Sequence, residues 1–558
     1  MHDALTWIGY LGADEAAGWS DWLGDLARQN RVTRLLGAGL DIWIAAERLA
    51  QFQVVLPDAR QEPAIAVPDA YAGRDWSVET ALIEILRGRL EGQAPVTATA
   101  LAEPVGLGSE TIASALAALE VEGFAMRGRF TPGAKAEEWC ARRLLARIHH
   151  YTIKRLRAEI EPVAARDFLR FLFAWQHVTA ETRMEGPDAL ATTVAQLEGF
   201  EAPAGAWESE ILPARVADYE PAWLDDECLS GRVAWARLKP HIARPVGAER
   251  GVSPVRTTPI TLLVRRHAAF WHAFSANEDA LQPSGRAQAV AAFIREHGAS
   301  FFDEVVAGTS LLRPQAEEAL AELVALGLVA SDSFAGLRTL LVPSDRRGSG
   351  AGGRRRRRAA VCSMDDAGRW ALARRGQVGQ RGAGQSATGP HEQQAGAEAV
   401  EHTARTLLLR YGVVFWRAVE READWLPPWR ELLRVYRRLE TRGEIRGGRF
   451  VAGFSGEQFA LPDAIGLLRE TKRKNGSGEW VSLSGADPLN LVGILTPGPK
   501  VAALTGNRLL YRDGLPIGAL AGGEMRFYEA LDSGTRWQVR KALLRGTTPP
   551  VIADLAPA

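Results

Sequence analysis

Clusters of arginine are the residues whose type and spacing most directly indicate chemistry in this 558-residue sequence. Residues 139–157 contain six basic residues and no acidic residue, and residues 430–449 contain seven arginines and three glutamates. Lysine and arginine side chains neutralise phosphates and release the counterions that phosphates hold, and a guanidinium matches phosphate oxygens with a planar fork of donors. Although the 67 basic and 67 acidic residues cancel, these two segments predict local binding to a nucleic-acid backbone.

Eleven basic side chains in and around these segments are the predicted nucleic-acid contacts. The alternative is an ordinary solvated face, or pairing with the acidic segment 207–227, which has seven acidic residues and one arginine. The predicted contacts are Arg127, Arg129, Arg142, Arg143, Arg147, Lys154, Arg155, Arg434, Arg438, Arg446 and Arg449.

An amide beside aromatic residues is a second candidate for chemistry. Phe168, Phe171 and Trp175 recur at helical spacing, and Gln176 follows them directly. One interpretation is a core helix with Gln176 at its edge. The other places Gln176 in a pocket, where its amide would hydrogen-bond a base taken out of the stack or hold a water molecule.

Other reactive sites are excluded by spacing. The sequence has no Gly-Lys pair, so a P-loop for ATP is absent from it. The cysteines, Cys140, Cys228 and Cys362, are far apart and odd in number, which argues against a disulfide framework and indicates a reducing cytoplasm. His267 and His272 are five residues apart, a poor spacing for metal ligands, so no metal site is predicted.

A repeated pattern of elements must position these side chains. Four times the chain runs through an amphipathic helix, a tight turn and a short hairpin; the helices are predicted at 19–28, 109–122, 313–326 and 428–442. In the second copy Ser109 is predicted to cap the helix and Gly123 to end it. Copies two to four have two shorter helices upstream, and three helices followed by a hairpin are typical of a winged helix.

The copies are not equivalent. The third helix carries Glu317, Glu318 and Glu322, which favours a packing role over phosphate binding. The pattern shows no upstream helices in the first copy, which predicts a truncated module and a chain that is a fragment of a longer protein.

The predicted fold class is mainly α with small β elements (α+β): tandem winged helices followed by a C-terminal β-barrel. The barrel strands are expected within 479–530, at 479–484, 501–505, 508–512 and 516–520. No run reaches the 18 apolar residues of a membrane span. The predicted domains are 1–60 (truncated winged helix with its hairpin), 61–138 (winged helix), 139–284 (helical and winged-helix-like), 285–345 (winged helix), 346–399 (flexible Gly/Arg-rich linker), 400–465 (winged helix) and 466–558 (small barrel and tail).

Six segments together give the chain a family resemblance along essentially its whole length. It resembles the C-terminal region of the bacterial large helicase-related proteins (Lhr), which are superfamily 2 DNA-repair helicases. This resemblance implies a 3′→5′ translocase core, with its ATP and magnesium, outside this chain. It also implies self-association into a homo-oligomer such as a tetramer, and tandem winged helices similar to those of AlkZ-type DNA glycosylases. The segments are 139–149, 157–163, 168–178, 420–423, 447–454 and 484–491.

The AlkZ-type likeness implies two catalytic candidates. Those enzymes carry a Gln-x-Gln motif; here Gln176 occupies the first position and Val178 the second. Asp487 is the other candidate, because a carboxylate can position water or stabilise an oxocarbenium-like centre. The alternative for Asp487 is an Asx turn ahead of Pro488.

The function predicted from the sequence is that of a non-motor region of an ATP-dependent DNA-repair helicase. It would bind single-stranded or forked DNA, mediate self-assembly, hold no cofactor of its own, avoid membranes and reside in the cytoplasm at the bacterial nucleoid. One alternative is a monofunctional DNA glycosylase acting on uracil or an alkylated base. The second alternative is a winged-helix transcription regulator, which would bind duplex DNA sequence-specifically.

Overall fold

The computed structural model describes residues 1–239, 255–274, 281, 283–341, 364, 367–373, 390–474 and 476–544. The chain divides into two compact units, Met1–Arg155 and Leu156–Ala558. Most of the predicted linker segments 346–358 and 376–396 lie outside the described residues, as does Cys362. The fold class is confirmed as mainly helical with small sheets.

Five segments of the described chain share one order of elements, which is that of a winged helix. A helix leads into a short strand, two further helices follow, and a hairpin closes the module. The last strand pairs antiparallel with both the short strand and the strand after the third helix. We number these segments modules 1 to 5; modules 1 and 2 lie in the first unit, and modules 3 to 5 in the second.

Module 1 corrects the expectation that its first two helices are missing. A small core of its own, including Leu5, Leu11 and Leu23, joins two short helices to the third. Helices of seven and four residues are too short to show a 3.6-residue period, which is why the pattern predicted truncation. The helices are His2–Ile8, Ala13–Ala16 and Ser20–Arg28, and the strands are Leu11–Gly12, Val32–Gly37 and Leu40–Ala45; the helix Leu49–Val55 and the edge strand Arg60–Glu62 follow.

Module 2 has the predicted third helix but not the predicted cap. Gly108 is the N-cap, and Ser109 is already the first helical residue without a capping hydrogen bond. Gly123 has φ 73°, as its role at the helix end requires. The last strand ends at residue 141, beyond the predicted boundary at 138. The helices are Val78–Gly92, Ala98–Ala102 and Ser109–Val121, and the strands are Ala125–Gly128 and Glu138–Ala141, the latter bridged by Val96.

Module 3 lies in the region predicted as helical and winged-helix-like. Its second helical stretch is continuous but includes a turn of π-helix, Trp207–Ile211, and residues 240–254, between its last two strands, are not among the described residues. The helices are Pro187–Gln196, the composite 204–215 and Pro221–Leu229, and the strands are Ala202–Pro203, Val233–Ala236 and Pro259–Val264.

Module 4 extends past its predicted end at residue 345. Its last strand, Arg369–Leu372, pairs with both other strands and therefore lies inside the stretch 346–399 that was predicted as linker. The helices are Gly285–His297, Phe302–Thr309 and Arg313–Ala325, with Phe334–Leu340 after them, and the other strands are Ser300–Phe301 and Val329–Ser331.

Module 5 begins ten residues before its predicted start at 400. Its second helix is reduced to a 3₁₀ turn. The helices are Pro390–Tyr411, Ala418–Arg421 (3₁₀) and Trp429–Thr441, and the strands are Val413–Val414, Arg446–Gly448 and Gln458–Ala460.

The C-terminal region contains a four-stranded antiparallel meander. Three of its strands match predicted ones, whereas the predicted strand at 501–505 is a loop. The recorded pairings join consecutive strands, and closure of the sheet into a barrel stays a prediction. The strands are Trp480–Ser484, Arg508–Arg512, Leu515–Ala521 and Glu524–Phe527, between the helices Pro462–Arg473 and Ser533–Leu544.

A central helix, Ala165–Trp175, joins module 5 to the C-terminal sheet in one hydrophobic core. Phe168 stacks on Phe171 and Phe171 on Trp175, with centroid separations of 5.8 and 5.6 Å, so the predicted aromatic stripe is confirmed. Phe173, also on this helix, makes an edge-to-face ring contact with Tyr511, which lies in the C-terminal sheet. In the part of the chain that is described, no helix has the length and apolarity needed to cross a membrane.

Candidate functional site

The helix Arg142–Ala158, here called the basic helix, has no buried residue along its 17 positions. Globular proteins normally bury one stripe of each helix, whereas here five positions are only partly buried and the other twelve are exposed, which is unusual. Tyr151 of this helix is 66% exposed, and the helix contains no acidic residue. The helix therefore presents cations and an aromatic ring to solvent, the combination that phosphates and unstacked bases bind.

The cations of the basic helix divide into unpaired and paired groups. Arg142, Arg143, Arg147 and Lys154 are exposed, and no hydrogen bond or ion pair of their side chains to another described residue is recorded. Arg155 is exposed but takes part in an interaction within the chain.

The two arginines predicted in the module 2 hairpin have different environments. Arg127 lies near Glu120 and Glu137, at 3.6 and 3.7 Å, and its guanidinium lies over the Trp139 ring. Arg129 is exposed, without a recorded partner among the described residues. Arg129 is therefore the more available of the two for an external anion.

Module 5 shows the same division. Arg434, Arg446 and Arg449 are exposed on the third helix and the hairpin, with no recorded partner in the described part of the chain. Arg438 donates to Glu401 at 2.8 Å.

Neighbouring arginines of module 5 are also neutralised by glutamates. Arg437 donates to Glu457 at 2.9 Å, and Arg442 lies 3.6 Å from Glu444. At the end of the basic helix, Arg157 donates to Glu440 at 2.7 Å.

Within the second unit, the acidic segment 207–227 pairs with arginines outside the predicted cluster 430–449. Its Glu208 and Asp225 bind Arg338, and Glu210 binds Arg508 at 2.8 Å. Among the described residues of that unit, no pair between this segment and the arginines of 430–449 is recorded, so the alternative that it neutralises that cluster is not supported.

The two predicted catalytic residues meet at one buried guanidinium, that of Arg215. Asp487 accepts two hydrogen bonds from Arg215, at 2.8 and 3.0 Å, and the Gln176 Oε1 atom accepts a third at 2.8 Å. The Gln176 Nε2 atom donates to the carbonyl of Arg410 at 2.9 Å. All three side chains of this group, here called the Arg215 cluster, are at most 1% exposed.

The Arg215 cluster has the geometry of a buried structural network. Both oxygens of Asp487 are engaged, and Oδ1 also accepts from the Leu489 amide at 2.9 Å, which is the Asx turn expected as the alternative. The amide of Gln176 is satisfied at both ends. A flipped base or an attacking water would have to break these bonds first.

Arg215 is the functional residue that sequence reasoning missed. The available signal was that it is the one basic residue in a segment with seven acidic residues. Its partner Asp487 lies 272 residues away, a separation that no local pattern detects.

His177 borders the Arg215 cluster in a left-handed conformation, with φ 59°. Its Nδ1 atom lies 3.0 Å from the carbonyl oxygen of Thr182, to which it donates in the neutral form. Burial lowers the pKa of this imidazole, and the charge of Arg215 lowers it further. Both effects favour the neutral form of the ring.

A cavity of about 270 Å³ lies on the other side of the central helix. It is lined by Arg170 and Phe173 of the helix and by Glu181, Glu479 and Asp513. Burial raises the pKa of the Glu479 carboxyl, and the carboxylates of Glu181 and Asp513 raise it further. A carboxyl group with a raised pKa at a cavity wall is suited to proton transfer.

Two histidines and a glutamate that are distant in sequence also come together. Glu198, His267 and His402 place one potential ligand atom each within 4.8 Å of the others. His272, considered as the partner of His267 from its spacing, does not belong to this group.

Two family models agree with the winged-helix architecture, and one solved structure was also aligned. Residues 163–254 and 393–480 each match a family model described as a winged-helix domain of the large helicase-related protein. The solved structure of the Streptomyces sahachiroi DNA glycosylase AlkZ aligns with a TM-score of 0.37 and 15% identity, covering 68% of this chain and 95% of that one.

Two curated relatives align along most of the chain. One is the Lhr helicase/probable uracil glycosylase of Mycolicibacterium smegmatis, 29% identical over 494 residues, or 86% of this chain. The other is the Lhr helicase/uracil glycosylase of Escherichia coli, 29% identical over 521 residues, also 86% of this chain. The chain spans about 30% of the length of these relatives. With two of its winged-helix domains matched and most of its length aligned, the chain is similar to the large helicase-related proteins.

Proposed function

We propose that this chain binds DNA through the basic helix and the arginine face of module 5, as a non-motor region of a helicase-type protein. The observation that carries the proposal is the basic helix, which has no buried and no acidic residue and carries four exposed cations without a recorded partner among the described residues. A merely solvated helix would be expected to interleave acidic residues with the basic ones. Similarity to proteins named as helicases supports the same assignment.

The arginine pairing in module 5 supports a defined binding face. Glutamates neutralise the arginines that would spread positive charge around the helix, whereas Arg434, Arg446 and Arg449 stay available on the third helix and hairpin. In winged helices the third helix and the wing are the elements that meet the nucleic acid. We expect them to contact phosphates, which position the protein without reading sequence.

Salt dependence of binding gives a quantitative test. Each phosphate contact contributes a slope of about −0.9 to a plot of log K against log salt for duplex DNA, and about −0.7 for single strands. Replacing Arg142, Arg143, Arg147 and Lys154 by glutamine should therefore reduce the slope by up to about 3 to 4. Fluorescence anisotropy with single-stranded, forked and duplex DNA between 50 and 200 mM salt measures it.

A matched control removes the same number of charges elsewhere. Arg28, Arg60, Arg286 and Arg313 are exposed but each is paired with an acidic residue, so their replacement by glutamine should leave the slope within about 1 of the wild-type value. Equal effects of the two quadruple variants would contradict the assignment of the basic helix. Equal affinity for single-stranded, forked and random duplex DNA would contradict the expected preference for single-stranded or forked DNA, and selection of one duplex sequence would favour the transcription regulator.

A uracil-DNA glycosylase is the second candidate function, because both aligned relatives carry that activity in their names and a cavity with a protonatable carboxyl lies beside the central helix. If the chain has this activity, we infer that Glu479 serves it, since Gln176 and Asp487 are closed off by Arg215. The assay is cleavage of abasic sites after incubation with uracil-containing DNA. Glu479→Gln should lower the rate at least about tenfold, with Glu529→Gln as a surface control; full activity of Glu479→Gln would reject this site.

Assembly and cellular context remain proposals that rest on the family likeness. We propose a homo-oligomer, a tetramer being the expected size, that works with a helicase core in the cytoplasm at the nucleoid. Light scattering after gel filtration would test the assembly, and a monomeric mass at micromolar concentration would reject it. No cofactor is proposed for the DNA-binding function.

A further inference from the structure

Glu198 is the centre of a buried group that joins module 3 to module 5. It lies between the first helix of module 3 and the strand Ala202–Pro203, whereas His267 follows the last strand of module 3 and His402 lies on the first helix of module 5. The Glu198 Oε2 atom is 3.0 Å from His267 Nδ1 and 3.6 Å from His402 Nε2. The Glu198 side chain is 3% exposed.

Supporting contacts hold this group in place. The second oxygen of Glu198 accepts from the Trp271 indole at 3.0 Å and from the Val264 amide at 3.2 Å. The ring of His402 stacks on Phe270 with a centroid separation of 4.9 Å. Hydrogen bonds to a ligating carboxylate and packing around a ligating ring are what fix ligands in metal sites.

One nitrogen in the group is left without a hydrogen bond. His402 Nε2 is buried and has no hydrogen-bond partner among the described residues, since the Glu198 Oε2 atom at 3.6 Å is too distant, and it points into the space shared with Glu198 and His267. A buried imidazole nitrogen without a partner is costly, and a metal ion would satisfy it. With metal–ligand bonds of about 2.0 to 2.2 Å, the ligand atoms around tetrahedral zinc lie about 3.3 to 3.5 Å apart. Side-chain movements of a few tenths of an ångström to about an ångström would therefore bring these three ligand atoms to the required spacing.

We propose that Glu198, His267 and His402 bind one divalent transition-metal ion of the zinc class. Two imidazoles and a carboxylate suit zinc, with water in the fourth position on the side where both rings are partly exposed. Because the ligands come from modules 3 and 5, the ion would fasten the two modules together.

Arg266 adds a specific consequence. Its Nε atom donates to His267 Nε2 at 3.1 Å, which requires the ring proton to be on Nδ1, facing Glu198. Metal binding through Nδ1 requires the other tautomer, with the proton on Nε2, so the exposed Arg266 side chain must turn away. Removing Arg266 should therefore favour metal binding.

The test is a titration of the metal-stripped full chain with Co²⁺, followed by its visible absorption. We expect one equivalent of Co²⁺ to bind, to show the intense visible absorption of a tetrahedral site and to be displaced by Zn²⁺. Binding of Zn²⁺ should raise the Tm of the chain by about 2 to 5 °C. His267→Ala and His402→Ala should each weaken binding by about a hundredfold or more, whereas Arg266→Ala should tighten it several-fold. His297→Ala, which changes an exposed histidine of module 4, should leave it unchanged.

Each result decides the proposal. Failure of the wild-type chain to bind Co²⁺ or Zn²⁺ tighter than about millimolar would overturn it, as would binding that survives in both histidine variants. If a histidine variant does not fold, shown by loss of helical circular dichroism without metal, Arg266→Ala decides in its place: it keeps all three ligands, and unchanged or weaker affinity would refute the geometry.

Discussion

Breaking the Arg215–Asp487 pair should destabilise the second unit more than any surface change. In Asp487→Leu the guanidinium stays buried, retaining bonds to Gln176 and to the Ile211 carbonyl but losing its counter-charge. Removing one partner of a buried ion pair costs about 3–5 kcal/mol, because the remaining charge is both desolvated and unpaired. Arg215→Met should cost a similar amount, since it strands the carboxylate and the amide oxygen.

Removing both charges should cost less than the sum of the single changes. In the double variant Arg215→Met/Asp487→Leu neither charge is left unpaired, so we expect a coupling free energy of about 2–3 kcal/mol. The free energy of unfolding from urea titrations of the four proteins measures it. The control is Glu529→Gln, which breaks the half-exposed Arg512–Glu529 pair and should cost less than about 1 kcal/mol.

The opposite result has a clear meaning. If Asp487→Leu unfolds within about 1 kcal/mol of the wild type and the two changes are additive, the cluster contributes little to stability and its description as a structural network is wrong. Loss of glycosylase activity in such a stable variant would return Asp487 to the catalytic candidates.

Three further predictions concern single positions. The pKa of His177 lies below its value of about 6.5 in the unfolded chain, so the folded chain resists protonation of this ring and its free energy of unfolding should fall as pH drops below about 6.5. Urea titrations at pH 7.5 and 5.5 should show a smaller loss of stability for His177→Asn than for the wild type, and an unchanged pH dependence would refute this. Gly199→Ala should lower the free energy of unfolding by at least about 2 kcal/mol, because φ is 76° and a Cβ would lie 2.2 Å from the Trp271 ring. The control Gly396→Ala, on an open helix face, should be neutral or stabilising in the same urea titration. Burial raises the pKa of the Cys228 thiol to about 12, so its alkylation at pH 8 should be at least about a hundredfold slower in the native than in the unfolded chain. Mass spectrometry measures both rates, and comparable rates would show that the thiol is accessible.

Long amphipathic helices were predictable to within a residue or two, since their apolar period and terminal glycine are local signals. The helix Ser109–Val121, predicted at 109–122 and ended by Gly123, is an example. The short helices of module 1 and the strand Arg369–Leu372 were missed, because elements of two to seven residues carry too little periodicity and depend on their neighbours for burial.

The candidate sites show the same limit. Exposed cations could be named from the sequence, but which of them a glutamate neutralises depends on contacts across the fold, as with Arg438 and Glu401. Gln176 and Asp487 were chosen for their chemistry, and the structure unites them through a guanidinium that their local sequences do not reveal.

The Arg215 cluster also limits how this architecture can be divided or recombined. Repeat arrays that contact only their neighbours tolerate the loss, duplication or exchange of single repeats. Here one unbroken series of hydrogen bonds runs from Asp487 through Arg215 and Gln176 to the Arg410 backbone, and the Arg410 side chain continues it to the Glu198 carbonyl. A protease cut or a gene fusion that removed the chain after residue 480 would leave a cation without its partner inside module 3. Modules 3 and 5 and the C-terminal sheet are therefore expected to be inherited, expressed and degraded as one piece, despite their repetitive appearance.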